Sequence, residues 1–218
     1  MKKIRVLIAE DHETVRHGLK LLIDAEPDME VVAEAGDGRT AVAHVESMNP
    51  AVAVLDVSMP EMNGLQAARE MRQRSSGTAV VMLTRYADAA YVQALLGAGA
   101  RGYVLKQSAS RELLKAIRAA AGGEQYLDAS LADPRERGIR RPAVRMPRIT
   151  ERETEVLRLV AHGHSNKEIA LLLDVSVKTV EVHKANAMRK LGLRGRIDVV
   201  KYAVLQGWLG VPDEIVAP

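Results

Sequence analysis

Four apolar runs in the first half of the chain each end in a residue able to hold a cation or handle a phosphoryl group. Residues 4–9 run into Glu10–Asp11, residues 51–55 into Asp56, residues 79–83 into Thr84, and residues 102–105 into Lys106. Near-continuous apolar runs fit strands buried on both faces, and in an open parallel sheet the carboxyl ends of such strands meet at one ligand-binding crevice. Phosphoryl transfer to a carboxylate needs an in-line nucleophile, a cation for the equatorial oxygens and further donors. Asp56 is the candidate nucleophile, Lys106 the cation facing the phosphoryl group, and Thr84 a hydroxyl donor to it. Mg²⁺ takes an octahedral shell with one or two carboxylates and several waters. Asp11 and Asp56 are its candidate direct ligands, Glu10 acts through water, and the backbone carbonyl of Ser58 completes the protein share. Crowded carboxylates raise one another's pKa, and a bound metal relieves that repulsion.

The elements that must position these groups alternate in type. Strands are expected over 4–9, 29–35, 51–56, 79–83 and 102–105. Helices are expected on Val15, Leu19, Leu22 and Ile23, then over 38–47, 65–74, 87–96 and 111–121. Five such βα units predict an α/β, doubly wound parallel sheet. The second strand carries Glu30 and Glu34 on one face, which belongs at a sheet edge and fits the order 2-1-3-4-5.

The 218 residues include no cysteine, which excludes disulfides, thiolate catalysis and cysteine-based zinc sites. Glu10–Asp11 interrupts the first apolar run too early for a signal peptide, and no run approaches the roughly 18 residues of a membrane span. A cytoplasmic protein with no membrane partner is expected. Charge is uneven: residues 1–121 hold 15 Lys+Arg and 15 Asp+Glu, whereas the remainder holds 16 against 13. Residues 134–148 alone carry six Arg and one Glu. Basicity therefore sits where a nucleic-acid contact would use it. Gly122–Gly123, Pro134, Pro142 and Pro147 punctuate a stretch without apolar periodicity. The reading divides the chain into a first domain over 1–121, a linker over 122–148 and a second domain over 149–218.

The second domain reads as all-α, with four helices. Thr150–Glu151–Arg152–Glu153 and Ser165–Asn166–Lys167–Glu168 are capping boxes. They open helices with inward Val156, Leu157 and Val160, and with inward Ile169, Leu172 and Leu173. Asp174–Val175–Ser176 makes a turn, Ser176 caps a third helix running to Leu191, and a fourth covers 196–206. Two short helices joined this way form a helix-turn-helix. On the third helix Val177, Val180, Ala187 and Leu191 share an inward face, while Lys178, Val182, Ala185, Asn186 and Arg189 point away. A helix in the major groove reads bases near its N-terminus. Candidate DNA contacts are Lys178, Thr179, Glu181, Val182, His183, Lys184, Ala185 and Arg189. Lys178 suits guanine acceptors, Glu181 the cytosine amino group, and Val182 or Ala185 a thymine methyl. His183 and Lys184 are phosphate candidates, with Lys184 snorkelling out from near the inner face.

These motifs resemble two families. Glu10–Asp11, Asp56, Met59–Pro60, Met62–Asn63–Gly64, Thr84 and Lys106 resemble the receiver domain of two-component response regulators. That resemblance implies phosphorylation of Asp56 by a histidine kinase, with Thr84 and the strand-five aromatic, here Tyr103, moving as a coupled switch. Gln107 departs from the proline many receivers carry after the lysine. Ile149–Thr150–Glu151–Arg152–Glu153, Gly163, Ser165 to Ala170, Lys178–Thr179–Val180, His183, Lys190–Leu191 and Tyr202–Ala203 resemble the LuxR-type helix-turn-helix of the NarL/FixJ family. Together they imply a DNA-binding response regulator that dimerises when phosphorylated or bound to double-stranded promoter DNA, its fourth helix helping to form the dimer. Two rivals are distinguishable. Aspartate-nucleophile phosphatases carry a second Asp two positions on, where this chain has Ser58. A receiver serving only as a phosphorylation-independent dimerisation module would leave DNA affinity unmoved by a phosphodonor.

Overall fold

A computed structural model of the chain describes residues 3–74, 77–85, 98–108, 110–128 and 149–209. They fall into two compact units, one over 3–128 and one over 149–209.

The first unit runs β1 (Ile4–Ala9), α1 (Glu13–Asp24), β2 (Met29–Ala35), α2 (Gly38–Met48), β3 (Val52–Asp56), α3 (Gly64–Arg74), β4 (Ala79–Thr84), β5 (Gly102–Leu105), α4 (Ser110–Ala121) and β6 (Tyr126–Leu127). The helix expected over 87–96 lies outside the described residues. All strand pairs are parallel, in the order β2-β1-β3-β4-β5-β6. The anticipated doubly wound order holds, with β2 at one edge. There Glu34 faces Lys20 at 3.3 Å and Arg16 at 3.8 Å, which gives its charge partners that a buried strand could not. Val6, Ile8, Val54, Val81, Leu83 and Val104 form the core with Leu113 and Ile117 of α4.

Two details of this unit depart from the sequence reading. Residues 126–127, inside the stretch read as linker, add a sixth strand: Gly102 pairs with Tyr126 and Tyr103 with Leu127. A two-residue strand has no periodicity to detect, and its hydrogen bonds come from β5. On α1, Ile23 is buried and Leu19 and Leu22 are partly buried, but Val15 is 40% exposed.

The second unit comprises α5 (Glu151–Ala161), α6 (Asn166–Leu172), α7 (Val177–Leu191) and α8 (Arg196–Leu205). Both capping boxes form, at Thr150 with Glu153 and at Ser165 with Glu168. Asp174 adopts the left-handed region in the turn, with φ 50°. Ser176 then caps α7, accepting from the Thr179 N–H at 3.0 Å. Val156, Leu157, Ile169, Val180, Ala187, Val199 and Ala203 make the core. Leu172, expected inward, is exposed, and so is Val177 at 38%. Leu172 closes the final turn of α6. Helical side chains lean toward the N-terminus, so the side chain of Val177, first in α7, projects past the helix end rather than onto a neighbour.

Candidate functional site

The carboxyl ends of β1, β3, β4 and β5 converge as their register requires. Asp56 pairs with Leu83 and Thr84 with Leu105, so Asp56, Thr84 and the start of the Lys106 turn lie along one edge. Asp56 is buried, and Glu10 is wholly so. The Lys106 ammonium bridges them, 2.8 Å from Asp56 Oδ2 and 2.6 Å from Glu10 Oε2. Its backbone N–H donates to the Thr84 carbonyl at 2.8 Å, which fixes the residue between strand ends. The Ser58 backbone favours the ionised form of Asp56.

Burial pushes the Asp56 carboxyl up to about 6; the Lys106 ammonium opposes this and the Glu10 charge adds to it. One ammonium therefore does not neutralise the pair. Buried like-charged oxygen donors are what a hard divalent cation offsets. The donor set fits Mg²⁺.

Glycine makes room for the pocket. A Cβ at position 64 would stand 2.0 Å from the Asp56 carbonyl oxygen, and one at position 38 would stand 2.3 Å from that of Met62. The loop after β3 can fold back over Asp56 only without those side chains.

The sequence reading missed His12. Its Nδ1 lies 2.7 Å from Asp11 Oδ1 and 3.0 Å from Glu10 Oε1. The hydrogen bond to Glu10 and the charge and hydrogen bond of Asp11 raise the imidazole pKa above its ordinary value. One ligand atom each from Glu10, Asp11 and His12 lies within 4.8 Å of the others. Three consecutive chelating residues were the available signal. Tyr103, on β5, is buried with no hydrogen-bond partner for its hydroxyl among the described residues, and burial raises its pKa well above the usual phenol value. No cis peptide occurs among the described residues, the Lys106–Gln107 bond included.

On the second unit Lys178, Glu181, Val182, Ala185 and Arg189 are exposed, a set recurring every three to four residues along α7. His183 and Lys184 are partly buried. The Thr179 hydroxyl lies 2.8 Å from that of Ser176 and serves the cap. Arg189 reaches Asn186 at 2.9 Å within the same helix. Arg158 stacks over Trp208 at 5.1 Å, and Tyr202 meets the same ring edge-on, pinning the end of α8 to α5. No helix among the described residues is long and apolar enough to cross a membrane.

Comparison with known proteins matches both units. The response regulator receiver domain family covers residues 6–118, and the luxR family of bacterial regulatory proteins covers 147–203. The transcriptional regulatory protein DegU of Brevibacillus brevis is 34% identical, with 96% of each chain covered. The oxygen regulatory protein NreC of Staphylococcus aureus (strain MRSA252) is 38% identical over 92% of this chain and 97% of that one. Among solved structures, RcsB of Salmonella enterica serovar Typhimurium bound to promoter P1flhDC with the phosphomimetic BeF3⁻ is 28% identical. It covers 94% of this chain and 100% of that one, with a TM-score of 0.76. With both domains matched in order and relatives aligned over nearly their whole length, the chain belongs to the two-component response regulators of the NarL/FixJ family, a receiver followed by a LuxR-type helix-turn-helix domain.

Proposed function

We propose that Asp56 accepts a phosphoryl group from the phosphohistidine of a sensor kinase, and that the modified protein regulates transcription as a dimer on double-stranded promoter DNA. The supporting observation is the Lys106 ammonium held between the buried carboxylates of Glu10 and Asp56. An Asp56 oxygen attacks phosphorus, the nitrogen–phosphorus bond breaks, and the kinase imidazole leaves with that electron pair and takes up a proton. Lys106 balances charge on the phosphoryl oxygens and Thr84 donates its hydroxyl to them. Mg²⁺, when bound, neutralises those oxygens further; Glu10, Asp11, Asp56 and the Ser58 carbonyl would hold it. The acyl phosphate is lost by hydrolysis at the same site, with no further substrate turned over.

Added charge at Asp56 biases a two-state receiver through Thr84 and Tyr103. The effector domain then pairs so that two copies of α7 meet half-sites about one helical turn apart. RcsB supports this reading: its solved complexes contain dimers on DNA. We place the receiver over 1–121, with Tyr126–Leu127 as a strand added to its sheet, the effector over 149–218, and the linker in the rest of 122–148. Such a protein works beside the chromosome, in the cytoplasm.

One experiment tests the whole. The chain is incubated with a radiolabelled acyl phosphate and Mg²⁺, then used to select binding sites from random duplexes at two salt concentrations. Stoichiometric label, absent in Asp56→Asn, with tighter selection after labelling, is the expected result. Label without any change in DNA affinity would instead favour a receiver that only dimerises the protein.

A further inference from the structure

Among the described residues of the first unit the buried carboxylates are Glu10, Asp56 and Asp128. The first two share the Lys106 ammonium. Asp128 does not, and it lies directly after β6 in the stretch that sequence alone reads as linker. Burying a carboxylate is costly unless hydrogen bonds replace its water. Asp128 has them. Its backbone N–H donates to the Tyr103 carbonyl at 2.9 Å, continuing the β5–β6 ladder. Its Oδ2 accepts the Leu105 N–H at 3.1 Å and, in a short contact, the Ser108 hydroxyl. The Ser108 N–H closes the same turn onto the Leu105 carbonyl at 2.9 Å.

Lys106 sits inside that turn. Its main chain is held on the other side by the Thr84 carbonyl, and its ammonium reaches forward to Glu10 and Asp56. The lysine ammonium rides on a flexible four-carbon stem, so a fixed Cα removes one source of spread in where it points. Both hydrogen bonds from the turn to Asp128 end on one oxygen, so a single side chain braces it.

We propose that Asp128 is a positioning residue for phosphoryl transfer: it braces the turn over residues 105–108 so that the Lys106 ammonium stays between Glu10 and Asp56. This rests on the phosphoacceptor reading of Asp56. It makes the residue that directly follows β6 part of the machinery that sets the phosphorylation rate.

The test uses the full chain, a small acyl phosphate and Mg²⁺, with two readouts. The first is the rate of Asp56 labelling. Asp128→Ala is expected to slow it roughly tenfold or more, since displacement of a catalytic group by about an ångström costs up to about a hundredfold. Asp128→Asn keeps a carbonyl oxygen where both donors end and is expected within about threefold of wild type. Lys106→Ala combined with Asp128→Ala is expected to be no slower than Lys106→Ala alone, because the two act through one group. A general folding defect would instead add. The second readout is the NMR signal of the Lys106 ammonium, whose exchange with water is slowed by its two carboxylate partners. It is expected to persist in Asp128→Asn and vanish in Asp128→Ala. If Asp128→Ala does not fold, Ser108→Ala replaces it, with a smaller slowing and a broadened Lys106 signal expected. An unchanged rate and an unchanged signal in the folded variant overturn the proposal. If the wild type takes no label, the phosphoacceptor reading fails, and the ammonium signal alone decides whether Asp128 positions Lys106.

Discussion

Lys190, in the last turn of α7, donates to both carboxylate oxygens of Glu153 in the first turn of α5, at 2.8 and 2.7 Å. The same carboxylate accepts the Thr150 N–H at 2.7 Å, so one buried side chain completes a capping box and ties α7 to the first helix of its domain. Burial opposes ionisation of Glu153, but the Lys190 ammonium and the Thr150 N–H win and hold its carboxyl below the ordinary 4.5. Removing one partner of a buried pair leaves the other uncompensated, and a lost cap adds to that cost. Glu153→Ala is expected to destabilise the second unit by about 3 kcal/mol in urea unfolding. A depressed folded-state pKa stabilises above the unfolded value and stops doing so as pH falls through the folded one. Wild type should therefore lose this increment below about pH 4.5, and the variant should not; parallel acid curves would contradict the assignment.

Asp56 has the opposite sign. Its carboxyl is raised from 3.8 to about 6, so the folded state binds that proton more tightly than the unfolded chain does. The stability this proton brings is present below pH 3.8 and is lost as pH rises to about 6. Above that, in the absence of metal, the ionised group costs about 3 kcal/mol. Asp56→Asn removes the charge and keeps the shape, at the expense of one Lys106 contact. It is expected to abolish labelling and to raise stability at neutral pH by about 1–3 kcal/mol. A variant less stable than wild type at pH 7.5 would show that Lys106 already neutralises the pair.

The pocket was legible because its carriers end long apolar runs: once 4–9, 51–55, 79–83 and 102–105 are strands, topology alone gathers Glu10, Asp56, Thr84 and Lys106. Capping boxes were equally plain, since their chemistry is local to four residues. What escaped depends on pairing between distant segments. Tyr126–Leu127 becomes a strand only because β5 offers a free edge, and Asp128 gains meaning only from the Leu105 N–H and the Ser108 hydroxyl. His12 escaped because its link to Asp11 and Glu10 needs the curl of the loop after β1. Val177 was misplaced because apolar periodicity says nothing about where a helix end overhangs.

Gly64 is a matter of space. Its added Cβ would meet the Asp56 main chain, which β3 holds in register, so the neighbour cannot yield as a flexible side chain would. Gly64→Ala is expected to destabilise the receiver by more than about 2 kcal/mol and to slow labelling of Asp56. Gly77→Ala, where a Cβ meets nothing within 4 Å, is the control and should be neutral by thermal unfolding. Equal melting temperatures for the two variants would mean that the loop after β3 relaxes freely.

A cation that binds only the folded pocket must raise its stability. At a hundredfold excess over its dissociation constant Mg²⁺ should contribute about 2.7 kcal/mol, reversed by a chelator. The gain should shrink in Asp11→Ala, which removes one oxygen donor, and in Asp56→Asn, which removes the charge that most needs offsetting. Thermal unfolding that is indifferent to Mg²⁺ in wild type would remove the metal from the site.

The exposed stripe on α7 separates two kinds of contact by their response to salt. Lys178 stands in the first turn beside the cap and is exposed, suited to a base edge. Lys178→Ala should cost about 1–3 kcal/mol on the preferred duplex and relax selection at a single base pair. His183 and Lys184 are partly covered and lie toward the flank of the helix, suited to phosphates. Lys184→Ala should weaken every duplex alike and reduce the slope of log affinity against log salt by about 0.9, the signature of one lost phosphate contact. Thr179 differs from both: its hydroxyl and N–H already serve Ser176, so Thr179→Ala should act through stability of the helix start and leave base preference unchanged. If Lys178→Ala instead shifts only the salt slope and no base preference, α7 reads the backbone at its N-terminus, and sequence choice falls to Glu181, Val182 and Ala185.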